Sequence, residues 1–177
     1  GKAIVLELIR NGAKVVFTYL KSDEAAAMLL DKIKELKGEA EAIKSDSREY
    51  NQAKNVVAET LKKFGRLDML VNNAGIIRPA LINKMTMEQW NSVLNINLTG
   101  VFSCLQLVGN VFLQKAKQNP ESRSNGKIIN VSSVAGLRGT TGQINYGAAK
   151  SGVIGITMSA AREWGRYHIN VNAVAFG

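Results

Sequence analysis

The stretch EYNQAKNVVAETLKKFGRLDMLV, residues 49–71, decides the fold class because a helix, a glycine and a strand follow one another in it. Apolar residues in 49–64 recur at the three- and four-residue spacing of an amphipathic helix. Gly65 is the residue type that closes a helix in a left-handed turn, and the apolar run 67–71 is typical of a short buried strand. This stretch therefore predicts one helix–strand unit of an α/β protein.

The same unit recurs along the chain. Before it, we expect helix 2–10 closed by Asn11-Gly12, strand 14–18, helix 23–37 closed by Gly38, and strand 41–44. After it, we expect a helix opened by a capping box at 86–89, a long helix from about 97 to 117, a surface loop at 118–126, strand 127–131, a helix from 146 to about 167, and strand 169–174. Alternating helices and strands predict a single domain with a parallel, doubly wound α/β sheet.

Composition excludes several classes of site. A chain of 177 residues that is 46% hydrophobic has the size and apolar content of one globular domain. Its single cysteine, Cys104, excludes a disulfide framework, suits a reducing compartment, and lies in an apolar helical segment as a core or interface residue. His168 is the only histidine, which excludes a histidine-based triad unless His168 itself serves. No Cys/His cluster offers a transition-metal site, and no apolar run predicts a membrane span.

The chain is basic, with a formal net charge of +9 from 23 Lys and Arg against 14 Asp and Glu. The lysines are spread along helices without a basic block, which favours a solvated surface over a nucleic-acid site. Attraction of an acidic carrier protein or of a phosphorylated cofactor is the functional alternative.

Tyr146-Gly-Ala-Ala-Lys150 is the strongest chemical signal in the sequence. A spacing of four places the phenol and the ammonium on one helical face. A nearby ammonium stabilises a phenolate, so such a pair suits proton transfer at a carbonyl or an alcohol. Taken alone, the pair is more often a solvated helix surface. Ser133 stands thirteen residues upstream, where Ser132 and Ser133 end an apolar strand and could equally cap the next turn.

Four motifs in order make the pattern specific: Asn72-Asn73-Ala74-Gly75, Asn97-Leu98-Thr99-Gly100, the run 130–136 (NVSSVAG), and Tyr146-Gly-Ala-Ala-Lys150. Together they resemble the short-chain dehydrogenase/reductase family over essentially the whole chain, which implies a Rossmann sheet. Within that family, the stretches 73–85 and 142–146 are most similar to NADPH-dependent 3-oxoacyl-(acyl carrier protein) reductases. The loop 118–126 is longer than is usual in that subfamily.

The resemblance implies a role for each motif residue. Tyr146 is the general acid in carbonyl reduction, Lys150 activates it and holds the nicotinamide ribose, and Ser133 donates a hydrogen bond to the substrate oxygen. Asn97 matches a helix-kinking asparagine that holds a water in a proton relay, although taken alone it could be an ordinary helix cap.

The resemblance also implies a nicotinamide cofactor. The second strand of such a sheet ends at the adenosine ribose. Tyr19 stands there, where NAD-specific relatives carry an aspartate, so NADP (NADPH) is favoured over NAD; Lys21 and Ser22 alternatively just begin a helix. The expected cofactor-binding residues are Gly1, Tyr19, Lys21, Ser22, Asp46, Ser47, Asn73, Ala74, Gly75, Tyr146 and Lys150.

The predicted function is NADPH-dependent reduction of a 3-oxoacyl thioester, a step of fatty acid biosynthesis, with a small-molecule or acyl-carrier-bound substrate. Two alternatives stay open: reduction of another small alcohol, sugar or xenobiotic carbonyl, and a non-catalytic nucleotide-binding subunit. By resemblance we expect a homodimer or homotetramer formed through helices 98–117 and 146–164, with no nucleic-acid or membrane partner. A cytoplasmic location is expected, with an organellar targeting segment left open.

The ends of the chain also depart from the family pattern. Gly1 matches the last glycine of the family's phosphate-binding loop, so the resemblance implies that a first strand precedes it and that a last strand and a substrate loop follow Gly177. Without that first strand, strands 14–18 and 67–71 would each have an unpaired inner edge. The chain alone is therefore expected to unfold with poor cooperativity.

Overall fold

Helices and strands alternate along the chain in the computed structural model, which describes residues 1–177. The helices are α1 Lys2–Arg10, α2 Asp23–Glu35, α3 Tyr50–Phe64, α4 Met87–Leu94, α5 Gly100–Gln118, α6 Ala135–Arg138 and α7 Ile144–Trp164. The strands are β1 Val15–Tyr19, β2 Ala40–Lys44, β3 Met69–Asn72, β4 Gly126–Ser133 and β5 Ile169–Phe176. Two compact units result, residues 1–66 and 67–177, and each is described by itself.

The first unit contains a two-stranded parallel sheet in which Val15 of β1 is opposite Ala40 of β2 and Tyr19 is opposite Lys44. Its core is formed by the apolar faces of α1 and α2 and by the start of β1: Val5, Leu6, Ile9, Val15, Leu29 and Ile33. Burying an aliphatic side chain of this size stabilises the fold by about 1.5–3 kcal/mol. The apolar periodicity that predicted the helices is thus the feature that builds this core.

Two predicted glycine caps have different outcomes. Gly65 ends α3 in the left-handed conformation, with φ of 68°, as predicted. The prediction for Gly38 is wrong, because Lys37 takes the left-handed conformation, with φ of 55°, after α2. Gly38 is required for space instead, since a Cβ there would overlap the side chain of Ile9.

The second unit contains a three-stranded parallel sheet in the order β3-β4-β5. Along β4 the side chains alternate between buried and more exposed positions, and Ile128 and Asn130 are fully buried. The Asn130 side chain accepts a hydrogen bond from Asn72 Nδ2 at 2.8 Å and donates to Thr157 Oγ1 at 2.9 Å. This buried polar chain fixes β3, β4 and α7 relative to one another, because each unmade bond would leave a desolvated polar group. The parallel pairing in both units confirms the predicted α/β class.

A helical segment from Met87 to Gln118 joins elements that the sequence analysis treats as separate. The predicted capping box is present: Thr86 accepts a hydrogen bond from the Gln89 N–H, and the Gln89 side chain accepts from the Thr86 N–H. The helix expected to begin near residue 97 in fact follows a π-helical turn, Asn95–Thr99, and begins as an α-helix at Gly100. Asn97 lies at the centre of this turn, and its side chain bonds outside the helix to the main chain of Ile76.

The segment Met87–Gln118 also bears on the expectation that no apolar run is long enough for a membrane span. It is long and apolar enough to cross a bilayer by length and composition alone, and 44% of its most apolar window is buried. The expectation from composition was therefore wrong as stated. A core helix of a soluble protein passes the same test, so this is weak support for a membrane location.

Candidate active site

The start of α7 places Tyr146 and Lys150 one turn apart, with the Lys150 Nζ 5.7 Å from the centre of the Tyr146 ring. Lys150 is only 3% exposed, and its Nζ donates a hydrogen bond of 2.7 Å to the Val131 carbonyl of β4. Burial lowers the pKa of the Lys150 ammonium, because the charged form loses its hydration. The lysine is therefore inside the unit, which is unlike a solvated helix surface.

The main chain of Lys150 is fixed from two sides. The hydroxyl of Ser132, which is 2% exposed, donates to the Lys150 carbonyl at 2.8 Å. Gly136 of α6 packs directly against the same peptide, since a Cβ on it would lie 2.6 Å from the Lys150 carbonyl carbon. These contacts hold α7 against the end of β4.

The two adjacent serines have different surroundings. Ser132 is committed to the α7 main chain, whereas Ser133 is half-buried and its Oγ accepts a hydrogen bond of 3.2 Å from the Ala135 N–H. That bond uses a lone pair of Ser133 and leaves its hydroxyl proton to donate. Ser133 thus caps the turn, as the simpler interpretation predicts, and also fits the role of a donor to a substrate.

Asn97 and Gly75 lie beside the lysine. Asn97 is fully buried, its Oδ1 accepts from the Ile76 N–H at 2.8 Å and its Nδ2 donates to the Ile76 carbonyl at 2.9 Å. A Cβ on Gly75 would lie 3.4 Å from Asn97 Oδ1 and 3.7 Å from Lys150 Nζ. Asn97 caps no helix, so the alternative of an ordinary cap is wrong. The structure brings Gly75, Asn97, Tyr146 and Lys150 together in the second unit.

The segment after β3 is open to solvent on the same unit. Asn72 is buried in the polar chain with Asn130, whereas Asn73, Ala74 and Gly75 are exposed. An exposed, small-residue segment next to Lys150 has room for a ligand group, and the absence of a side chain on Gly75 keeps that space free. Asn73, Ala74 and Gly75 are expected to contact the cofactor, and that assignment stays a prediction.

In the first unit, Tyr19 ends β1 beside a charged pair that the sequence analysis missed. The Tyr19 hydroxyl is hydrogen-bonded to the Asp23 carboxylate, which raises the pKa of the Tyr19 phenol. Lys44 Nζ donates to Asp23 Oδ2 at 2.7 Å, and this bond lowers the pKa of Asp23. A carboxylate therefore stands at the end of β1, although Lys44 neutralises it. Lys44 reaches this position because the parallel register pairs it with Tyr19, and the sequence of β1 alone does not predict that pairing.

The other expected residues of the first unit lie at element ends. Gly1 precedes α1, and Lys21 and Ser22 are exposed residues immediately before α2, where the Ser22 side chain makes no capping bond. Lys21 and Ser22 are thus available to a ligand.

Asp46 is buried, and its carboxylate is already hydrogen-bonded within the protein. It is 8% exposed, and its carboxylate accepts from the Arg48 Nε at 3.0 Å and from the Arg48 main-chain N–H at 3.0 Å. The Arg48 guanidinium lowers the pKa of Asp46. Asp46 and half-buried Ser47 shape the turn between β2 and α3.

Known proteins resemble the chain over its full length. A family model described as short chain dehydrogenase matches residues 1–177. A 3-oxoacyl-[acyl-carrier-protein] reductase of Synechocystis sp. is 42% identical over 177 residues, covering 100% of this chain and 68% of the relative. A 3-oxoacyl-[acyl-carrier-protein] reductase FabG of Staphylococcus aureus is 41% identical, covering 100% of this chain and 69% of the relative.

One solved structure gives the same result for the fold. The crystal structure of a short chain dehydrogenase from Mycobacterium avium matches with a TM-score of 0.92 and 35% sequence identity. The match covers 99% of this chain, which spans 62% of the solved chain. The expected Rossmann-type α/β fold is confirmed by this similarity.

Proposed function

Since the chain belongs to the short-chain dehydrogenase family, we propose that it carries the catalytic residues of an oxidoreductase that reduces an acyl-carrier-bound 3-oxoacyl thioester to its 3-hydroxyacyl form. The names of the two relatives support this substrate. NADPH would supply the hydride for the carbonyl carbon. Residues 1–177 would form part of a single nucleotide-binding and catalytic domain.

In this proposal the protein supplies the proton for the carbonyl oxygen and holds the substrate carbonyl in position. The Tyr146 hydroxyl gives its proton to the carbonyl oxygen as the carbon accepts the hydride, so the product is a neutral alcohol. Ser133, with its hydroxyl proton free, donates a hydrogen bond to the same oxygen and stabilises the charge that develops on it. The buried Lys150 ammonium stabilises the phenolate left behind and contacts the ribose hydroxyls beside Gly75. Asn97, which lies in the π-helical turn and bonds to Ile76 through its side chain, would hold the water of the proton relay with the lysine.

The burial of Lys150 is the observation that carries the proposal. A desolvated ammonium destabilises a fold unless a partner compensates, and its one hydrogen-bond acceptor is the neutral carbonyl of Val131. Perturbed buried groups of this kind cluster at functional sites. The adjacent Tyr146 hydroxyl and the open space at Gly75 give the lysine a use, which argues against a non-catalytic subunit.

NADP is the proposed cofactor. Lys21 offers an exposed cation next to the end of β1, and the Asp23 carboxylate, which would repel a 2′-phosphate, is neutralised by Lys44. Gly1, Tyr19, Lys21, Ser22, Asp46 and Ser47 of the first unit, with Asn73, Ala74, Gly75, Tyr146 and Lys150 of the second, are the proposed cofactor residues.

The partner and location are proposed on surface properties. A net charge of +9 suits an acidic acyl carrier protein. Exposed apolar side chains on the two long helices, Phe102 of α5 at 46% and Met158 of α7 at 56%, suit association into a homodimer or homotetramer. A cytoplasmic location fits the bacterial relatives.

The test is a substrate screen of the full-length protein. Acetoacetyl thioester and a panel of sugars and small carbonyl compounds would be compared with NADPH and NADH, following cofactor oxidation. The proposal expects the highest kcat/KM with the thioester and NADPH. A higher kcat/KM with a sugar or another carbonyl would favour the alternative substrate class.

Tyr146→Phe tests the chemical step in the same assay. We expect kcat to fall by at least ~10²-fold because a general acid is lost, while NADPH affinity stays unchanged. A kcat near that of the wild type would refute the role of Tyr146.

A further inference from the structure

Asn145, the residue before Tyr146, is fully buried although it is polar and stands in the first turn of α7. Buried side-chain amides are retained where hydrogen bonds satisfy them. The bonds of Asn145 identify what this residue holds in place.

Its Oδ1 accepts a hydrogen bond of 2.8 Å from the main-chain N–H of Tyr146. That N–H belongs to the first turn of a helix, where main-chain donors have no intrahelical acceptor. The helical bonding of α7 begins only one residue later, with Gly147 N–H to the Gln143 carbonyl at 2.7 Å. Asn145 therefore supplies the acceptor that the helix cannot give Tyr146.

Its Nδ2 donates to two main-chain carbonyls, those of Arg78 at 3.0 Å and Gln89 at 3.1 Å. Arg78 lies in the segment after β3, and Gln89 lies in α4. The amide thus uses both of its N–H groups and one acceptor site, and all three bonds go to the main chain.

The surrounding main chain ties the same segments together. Ala80 N–H donates to the Gly142 carbonyl at 2.9 Å, and Ala80 pairs with Gln143 in an isolated parallel bridge. The Asn145 side chain adds its bonds to this junction, in which the segment 78–80 meets the start of α7 next to Tyr146.

We propose that Asn145 is a positioning residue that fixes the Tyr146 main chain, and hence its hydroxyl, for proton transfer. The inference rests on the proposed function of Tyr146 as the general acid. Loss of the amide releases the first turn of α7 from Arg78 and Gln89. A displacement of about 1 Å at a reacting group costs about 10²-fold in rate.

Asn125 provides a matched control. It is also an asparagine, it is 2% exposed, and its Nδ2 donates to the Tyr167 carbonyl at 2.8 Å. It lies immediately before β4, at the opposite end of that strand from Ser133. Truncation of Asn125 removes the bonds of its Nδ2 to the main-chain carbonyls of Ser122 and Tyr167 without touching the segments around Tyr146.

The experiment compares Asn145→Ala with Asn125→Ala in the full-length protein, at a temperature well below both melting points. We expect both variants to lose stability, but kcat to fall about 10- to 100-fold only in Asn145→Ala, with KM changed by less than about threefold. Equal kcat values in the two variants would overturn the proposal.

A double-mutant cycle separates positioning from a general loss of structure. In a Tyr146→Phe background, Asn145→Ala should lower the residual kcat by less than about threefold, because the group that it positions is already gone. The same 10- to 100-fold loss in both backgrounds would contradict the inference.

A second variant covers the case in which Asn145→Ala does not fold. Asn145→Ser keeps a small oxygen near the Tyr146 N–H but loses the bonds to Arg78 and Gln89, so we expect a kcat between those of Asn145→Ala and the wild type. A wild-type kcat in Asn145→Ser would also overturn the proposal. All variants are assayed on the carbonyl compound that the wild type reduces best. If that compound is not the thioester, the proposed substrate is refuted, but the comparison of the Asn145 variants still tests whether Asn145 positions Tyr146.

Discussion

Gly136→Ala adds one methyl group at the point where α6 meets the main chain of Lys150. The new Cβ would lie 2.6 Å from the Lys150 carbonyl carbon, 2.7 Å from the Ser151 nitrogen and 3.0 Å from the Lys150 Cβ. Two of these three neighbours are main-chain atoms, which cannot rotate away. The substitution therefore has to move α7 or α6 rather than a flexible side chain.

The size of the movement follows from these distances. Ordinary contacts of a Cβ begin near 3.4 Å, so the main chain at Lys150 has to retreat by about 0.8 Å. Overpacking of this kind costs about 1–3 kcal/mol of stability. A displacement approaching 1 Å at Lys150 should lower the rate of the chemical step by about 10²-fold.

Gly165→Ala is the matched control because it adds the same methyl group at the end of α7. No atom lies within 4 Å of a Cβ at Gly165, whose φ of −56° and ψ of −38° are helical. We expect Gly165→Ala to be stabilising by about 0.4–1 kcal/mol, through the loss of main-chain freedom in the unfolded chain, with kcat unchanged.

The assay is kcat of the full-length protein, with urea unfolding of each variant as a check on folding. If Gly136→Ala turns over within twofold of Gly165→Ala, the position of the Lys150 main chain does not limit the rate. The argument from the contact between α6 and α7 would then be refuted.

The remaining predictions concern the lysine, the cofactor and the assembly. Burial lowers the pKa of Lys150 in the folded protein. Between that lowered pKa and the ordinary value of ~10.4, the unfolded chain binds more protons than the folded chain. The free energy of unfolding should therefore rise with pH across this window. Urea unfolding of the wild type and Lys150→Met checks this, and the same slope in both would show that Lys150 is not the cause; Lys150→Met should also weaken NADPH binding and lower kcat. Tyr19→Asp should shift the preference from NADPH to NADH, because a second carboxylate beside Asp23 repels a 2′-phosphate, and kcat/KM for both cofactors measures it; a wild type that already prefers NADH would contradict the reasoning. Met158→Glu places a charge on the exposed apolar surface of α7 and should give a monomer in sedimentation velocity, whereas an unchanged oligomer would place the interface elsewhere.

Local sequence patterns predicted the elements and their pairing well. The amphipathic period of residues 50–64 and Gly65 placed α3, and Thr86 with Gln89 placed the start of α4, because a capping box is a bond between near neighbours. The parallel pairing of β1 with β2 and of β4 with β3 and β5 also agrees with the predicted parallel sheet, since strands that alternate with helices pair in parallel.

The failures arise where contacts between distant residues decide the conformation. Lys37, and not Gly38, is the left-handed residue after α2, and Gly38 is required instead because Ile9, far away in sequence, leaves no room for a Cβ at residue 38. The contact of Asp23 with Tyr19 was not predicted, because it depends on an ion pair between Asp23 and Lys44, which the pairing of β1 with β2 places beside Tyr19. No property of residue 23 alone carries that information.

The catalytic motif shows the same division between local and distant control. The spacing in Tyr146-Gly-Ala-Ala-Lys150 places the two side chains on one face of α7, and this much the sequence predicts. What makes Lys150 unusual is distant in sequence: the Val131 carbonyl that receives its Nζ, the Ser132 hydroxyl that holds its carbonyl, and the missing side chain of Gly136. Each of these residues looks ordinary in its own segment: a strand residue, a strand-end serine and a glycine of a short helix. A motif of two residues therefore indicates the chemistry, while the residues that set the geometry become visible only once β4, α6 and α7 are packed together.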